Sequence, residues 1–135
     1  MKVEDIASYF VSREAMDMQK LSCLVYLSYA WFYALNDKEL FETEGFEASP
    51  IMPTEEVLFG KYHHFGKKKI KNIPGKSLNS EIEAFLESVY ETYGIASSEA
   101  LCGYLRMSQP YLKARKNNQK ISRKDMKQFY ASQQH

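Results

Sequence analysis

Few residues of this chain have the types and spacing that catalysis needs. The one histidine pair, His63 and His64, consists of neighbours that point to different faces of a helix, so it does not form two metal ligands by itself. Three glutamates, Glu42, Glu44 and Glu47, share one loop, but nothing in the sequence pairs them as acid and base. No glycine-rich loop of the phosphate-binding kind is present. We therefore expect no enzymatic activity, no metal and no cofactor.

The two cysteines also lack the surroundings of a reactive thiol. Cys23 and Cys102 lie inside apolar helical patterns, and Cys23 has no charged neighbour that would stabilise a thiolate. We predict two small core thiols in a reducing compartment rather than a disulfide. The first residues include Glu4 and Asp5, where a signal peptide would carry positive charge before an apolar run. The predicted location is the cytoplasm.

One stretch carries a nucleic-acid-binding pattern. Residues 98–115 resemble a helix-turn-helix, with a capped helix, a short turn, and a second helix that Ser108 would cap. Polar residues of that second helix would contact DNA, and the lysine-rich loop at 61–76 would hold phosphates. The same pattern fits two helices that simply pack against the core, and we favour that interpretation. The residues that would contact DNA are Gln109, Lys113, Arg115 and Lys116.

Charge is distributed very unevenly although the net charge is only +1. Residues 39–56 contain six glutamates and no basic residue, and residues 61–76 contain six lysines and no acid. Residues 106–127 contain eight basic residues against a single acid, Asp125. Opposed charge clusters of this kind indicate a charged macromolecular partner or ion pairs within the fold, and a solvated surface remains a third interpretation.

The elements that position these residues are organised around one apolar stretch. In the fifteen residues 21–35, LSCLVYLSYAWFYAL, only Ser22 and Ser28 are polar, and apolar residues occur on every face of a helix. At about 1.5 Å per residue the stretch reaches about 22 Å, which is short of a membrane core of roughly 30 Å. Its aromatic residues also lie mid-stretch instead of at the ends. We predict a buried central helix over 18–36 and no membrane span.

The remaining patterns predict a mainly α fold, a compact bundle of about six or seven helices around that central helix. A single domain would cover residues 1–131, and 132–135 would form a polar tail. Thr54 is predicted to cap the third helix. Gly94 is predicted to end the helix that carries Ile82 to Tyr93, and Ile121 with Met126 to form a hydrophobic staple at the start of the last helix. A short strand is expected near 66–74, while 40–53 reads as extended or irregular because Pro50 and Pro53 interrupt it.

Several motifs occur in an order that resembles a known family. Residues 5–10 read DIASYF, residues 20–26 read KLSCLVY, and ELFE with GFEA follow at 39–42 and 45–48. A closing helix carries Ile121, Met126, Phe129 and Tyr130. This arrangement resembles the Panacea domain of SocA-like antitoxins and phage-associated GepA-type proteins over nearly the whole chain. The chain lacks that family's Trp-x-x-Gly-Pro-Val run and its Thr-His and Pro-Trp signatures.

The resemblance implies a small helical domain that binds another protein. Family members act as antitoxins that neutralise a cognate toxin or pass it to a Clp-type protease as adaptors, and they are often carried by phages and mobile elements. Ten tyrosines, a residue type enriched at interfaces, agree with a binding role. The alternative is a helix-turn-helix DNA-binding regulator. We place the expected protein-contact surface on Phe41, Glu42, Glu44, Phe46, Glu47 and Tyr62.

Overall fold

The structure is a computed structural model that describes residues 1–134. Over these residues it contains seven α-helices and one two-stranded sheet, which confirms the predicted mainly α bundle. A single 3₁₀ turn, His63–Phe65, follows the third helix. In chain order the elements are α1 Val3–Arg13, α2 Met18–Asn36, β1 Phe46–Ala48, β2 Pro53–Glu55, α3 Glu56–Tyr62, α4 Ser80–Tyr93, α5 Ser98–Arg106, α6 Gln109–Lys116 and α7 Arg123–Ser132.

Helix α2 forms the centre of the bundle, as its composition predicts. Of residues 18–30 all but Gln19 are buried, and α1, α3, α4, α5, α7 and β2 pack around them. The enclosure ends at Trp31, and Leu35 in the last turn is 47% exposed. The carboxylate of Asp17 caps the helix start by accepting from the Lys20 amide at 2.9 Å. No helix within residues 1–134 has the length and apolar character that crossing a membrane requires.

The single charged side chain among the buried residues of α2 is neutralised locally. The Lys20 ammonium lies 3.2 Å from the Glu14 carboxylate and donates to the Gly94 carbonyl at 2.6 Å. Glu14 also accepts from the Tyr90 hydroxyl at 2.6 Å. Burial would raise the pKa of Glu14, but the hydrogen bonds from Tyr90 and Lys20 outweigh it and lower that pKa. This cluster ties the turn before α2 to the end of α4.

The short sheet lies in the stretch that reads as irregular. Strands β1 and β2 are antiparallel, with Phe46 opposite Glu55 and Ala48 opposite Pro53. In the segment 66–74, where a strand is predicted, Ile70 forms one isolated antiparallel bridge with Met16. Three-residue strands have no measurable alternation, so the sequence could not distinguish them from loop.

The predicted cap of α3 is displaced by one residue. Thr54 is part of β2, where its branched side chain suits a strand, and does not cap the helix. The carboxylate of Glu55 caps it instead, accepting from the Leu58 amide at 2.9 Å. At α7 the predicted staple is present, since Ile121 and Met126 are both buried on either side of the cap residue Ser122.

The prediction of two free thiols is wrong. Cys23 on α2 and Cys102 on α5 are both fully buried, as expected, but they are joined in a disulfide with their Cα atoms 6.0 Å apart. The two residues are separated by 79 positions, and only the packing of α5 on α2 brings them together. The prediction of a reducing compartment can therefore no longer be argued from free thiols.

The segment between α3 and α4 has no regular structure but is closely attached to α1. Ile73 is buried, and the amide of Lys76 donates to the Asp5 carboxylate at 2.8 Å. Gly75 lies directly against α1: a Cβ atom added there would come within 2.7 Å of the Ser8 Cβ and 3.1 Å of the Asp5 Cα. A glycine is therefore required at this crossing.

Replacing Gly75 by alanine should destabilise the fold, because the added methyl group meets the backbone of α1. We expect Gly75→Ala to lower the free energy of unfolding by about 1–3 kcal/mol in urea denaturation. Gly60→Ala is the matched control, since Gly60 is in a helix and a Cβ there meets nothing within 4 Å. That change should raise stability by about 0.5–1 kcal/mol. Equal stability of the two variants would contradict the close crossing.

Candidate functional site

The glutamate-rich connection between α2 and α3, residues 39–56, is here called the acidic loop. Its aromatic residues fasten it to the core: the Phe41 and Phe46 rings lie 5.1 and 5.5 Å from the Tyr29 ring. Both phenylalanines are buried, at 2% and 0% exposure. They therefore cannot belong to an exposed contact surface, which corrects their assignment as partner-binding residues. Burial of these rings fixes the path of the loop over α2.

The basic C-terminal third of the chain holds the acidic loop by its backbone. Four basic side chains donate to loop carbonyl oxygens, and of these four only Arg123 also pairs with a loop carboxylate, that of Glu39. These contacts are Arg106 with Ile51 at 2.6 Å, Arg115 with Ala48 at 3.1 Å, Lys120 with Glu44 at 3.0 Å and Arg123 with Thr43 at 3.1 Å. The hydroxyl of Tyr111 donates to the Ser49 carbonyl as well. Burial raises the pKa of Tyr111 to about 12, so the hydroxyl keeps its proton at neutral pH.

Arg123 makes the most extensive of these contacts. Its Nε donates to the Tyr29 hydroxyl at 2.6 Å, and its Nη2 lies 2.8 Å from the Glu39 carboxylate. The Tyr29 hydroxyl in turn donates to Glu39 at 2.7 Å. The hydrogen bond with Tyr29 raises the pKa of Arg123, while burial raises the pKa of Tyr29. Arg123 thus joins α7, α2 and the start of the acidic loop in one polar cluster.

Several carboxylates of the loop are left unpaired by this arrangement. Glu42, Glu44 and Glu56 are exposed and line a recess of about 320 Å³, beside Val57, which is 45% exposed. None of the ion pairs among residues 1–134 involves these three side chains or the exposed Glu47 on β1. No group of three or more His, Cys, Asp or Glu side chains in this described part could hold a metal ion. The recess is suited to cationic side chains with an apolar stem.

The structure separates the four predicted contact residues that are not buried into three groups. Glu42 and Glu44 meet in the recess, and Glu47 lies outside it on β1. Tyr62, at the end of α3, is half-buried with its ring 6.2 Å from that of Phe65 and does not line the recess. The sequence analysis includes Glu56 among the six glutamates of residues 39–56 but does not name it as a contact residue. Val57 is not singled out either, because the first residues of a short helix give no separate signal of a binding surface.

The helix-turn-helix pattern corresponds to α5 and α6, which are joined by Met107 and Ser108. Ser108 does not cap α6 with its side chain, and its hydroxyl donates to the Leu105 carbonyl at 2.6 Å. All four predicted DNA-contacting residues are exposed, but two of them have intramolecular partners. Lys113 lies 3.4 Å from Asp125, and Arg115 binds the acidic loop.

The lysine-rich loop does not join this helix in one surface. It contacts α1 and the turn before α2, whereas α6 contacts α5, α7 and β1. The structure therefore does not bring together the predicted phosphate clamp and the predicted recognition helix.

Comparisons of the whole chain with known proteins find no matching family model, no similar curated protein and no similar solved structure.

Loss of Arg123 should loosen the acidic loop without unfolding the bundle. We expect Arg123→Gln to speed amide hydrogen exchange across residues 40–46 and to lower stability by about 1–2 kcal/mol, a value reduced for partial exposure of the side chain. Lys124→Gln is the control, because Lys124 is exposed and forms no ion pair in the described residues. Unchanged exchange at 40–46 in Arg123→Gln would show that the order of this part of the loop does not depend on Arg123.

Proposed function

We propose that this protein is an antitoxin-like binding module whose acidic loop receives basic side chains of a partner protein. The supporting observation is that the loop is fixed by its carbonyl oxygens while Glu42, Glu44 and Glu56 stay unpaired. A loop that is ordered before binding loses little conformational entropy when the partner arrives. Unpaired carboxylates also attract a basic partner over a distance of roughly a Debye length.

The nature of the partner follows from the resemblance of the chain to the Panacea domain. In this proposal the partner is a cognate toxin encoded beside the gene, carried by a phage or another mobile element. Neutralisation would proceed by covering the toxin or by delivering it to a Clp-type protease in the cytoplasm. The role is one of binding, not catalysis, and needs no cofactor, metal or membrane.

Removing the three unpaired carboxylates of the recess should weaken binding to the protein encoded by the neighbouring gene. We expect the combined change Glu42→Gln, Glu44→Gln and Glu56→Gln to reduce affinity by about 3- to 150-fold, since exposed charge pairs contribute about 0.2–1 kcal/mol each. Wild-type affinity should fall with added salt, and the variant should lose much of that dependence. Isothermal calorimetry with the co-expressed neighbour measures both effects.

The matched control removes three carboxylates that lie elsewhere, through Glu81→Gln, Glu91→Gln and Glu99→Gln. These residues are exposed on α4 and α5 and have the same charge as the recess residues. Their removal should leave affinity for the neighbour within about twofold of wild type. Equal loss in both triple variants would attribute the effect to net charge and remove the recess from the proposal. No interaction with any neighbouring gene product would reject the antitoxin proposal itself.

A second candidate, a DNA-binding regulator, is supported by the two-residue connection between α5 and α6 and by the exposure of Gln109 and Lys116. In this proposal α6 lies in the major groove, as the recognition helix of such motifs does. The two residues without intramolecular partners would make the base and phosphate contacts.

If α6 reads DNA, the combined change Gln109→Ala and Lys116→Ala should weaken binding to duplex fragments from upstream of its own gene. We expect at least a tenfold loss in electrophoretic mobility-shift assays and a shallower dependence on salt. The recess triple variant serves as the control and should bind these fragments as wild type does. Failure of the wild-type protein to bind duplex DNA at low salt would exclude this candidate.

A further inference from the structure

A second charged surface lies apart from the acidic loop. Within residues 67–76, here called the lysine strap, five lysines are exposed and no acid occurs. None of their ammonium groups takes part in an ion pair among residues 1–134. By contrast, Lys61 just before the strap pairs with Glu4. The five lysines are Lys67, Lys68, Lys69, Lys71 and Lys76.

The strap has a fixed path although it lacks regular secondary structure. Ile70 and Ile73 are its buried anchors, at 0% and 1% exposure. Ile70 exchanges two backbone hydrogen bonds with Met16, at 2.7 and 3.3 Å. Gly75 is in close contact with α1 at the other end. Because the apolar residues of the strap face the core, its cationic residues are left in solvent along one ordered segment.

Exposed rings precede the strap directly. In the 3₁₀ turn, His63 and His64 are both exposed. The Nδ1 of His63 lies 2.9 Å from the Phe59 carbonyl, and its ring stacks on Phe59 with centroids 5.0 Å apart. The His64 ring lies 4.8 Å from that of Phe65. These contacts hold two flat polar rings at the start of a row of cations.

We propose that the lysine strap and the 3₁₀ turn bind single-stranded nucleic acid. The lysines would contact successive phosphates, and the rings of His63 and His64 would stack on bases that a single strand leaves accessible. Rings beside a cationic track are the combination by which proteins bind single strands without sequence preference. This site is independent of the acidic loop. The acidic loop would bind a positively charged partner, whereas the lysine strap would bind a negatively charged one.

The composition of the strap distinguishes this ligand from a membrane surface. No large apolar side chain within residues 58–94 is exposed. A segment that inserts into a lipid interface presents such side chains, whereas Ile70 and Ile73 point into the core here. A polyanion that offers both phosphates and stackable rings fits the exposed groups better.

The test uses fluorescence anisotropy of labelled oligo(dT) and oligo(U), about 15 nucleotides long, on the full chain. If five lysines each neutralise one phosphate, affinity should fall about a hundredfold between roughly 50 and 200 mM salt. The combined change Lys67→Gln, Lys68→Gln and Lys69→Gln should lower the logarithmic salt slope by about 2. The combined change His63→Ala and His64→Ala should weaken binding about tenfold and leave that slope unchanged.

The control is the combined change Lys38→Gln and Lys124→Gln, which removes two exposed lysines that lie outside the strap and outside α6. It should bind the oligonucleotides as wild type does, and circular dichroism should show that all variants keep their helices. The proposal is overturned by absence of binding at low salt or by equal loss in the control. It is also overturned if duplex DNA of the same length binds as tightly, or if only phosphatidylserine-containing vesicles bind.

Discussion

Enclosure of the first thirteen residues of α2 is the constraint on which the rest of this structure depends. Residues 18–30 present apolar or small side chains on nearly every face, so the remaining helices must surround them. Each large side chain that is fully buried contributes about 1.5–3 kcal/mol, and only packing from several directions provides that burial. Lys20, the one charge on this part of the helix, is tolerated because its ammonium group pairs with Glu14 and donates to the Gly94 carbonyl.

A helix enclosed in this way leaves the connecting segments on the outside of the bundle. The acidic loop and the lysine strap each contribute a few apolar anchors to the core, Phe41 and Phe46 in one and Ile70 and Ile73 in the other. Their charged residues then remain in solvent on a backbone with a defined path. Both segments therefore combine the exposure of a loop with the order of the core, which is what a binding surface requires.

The features that could be predicted from the sequence are those that repeat or act locally, namely the central helix, the helix that ends before Gly94 and the staple of Ile121 and Met126. It could not separate anchors from contact residues, because a phenylalanine in a polar stretch has the same signal in either role. Phe41 and Phe46 were assigned to the surface for this reason. The disulfide was missed because it depends on how α5 crosses α2, a non-local property. Of the recess, Glu42 and Glu44 were named as contact residues, Glu56 was only counted among the glutamates of residues 39–56, and Val57 was not singled out.

The charge clusters of the sequence could indicate either a charged partner or contacts within the fold. The chemistry of hydrogen bonding explains how one segment can make internal contacts and still present charge to a partner. Arginine and lysine are donors, so they can bind the carbonyl oxygens of a neighbouring loop as well as its carboxylates. An ionised glutamate can only accept hydrogen bonds, so it cannot bind those carbonyl oxygens. Where the cations of residues 106–123 bind backbone, as they do at Ile51 and Ala48, the nearby carboxylates keep their charge for another molecule. The same cations reduce the mutual repulsion of the glutamates and so stabilise the path of the acidic loop.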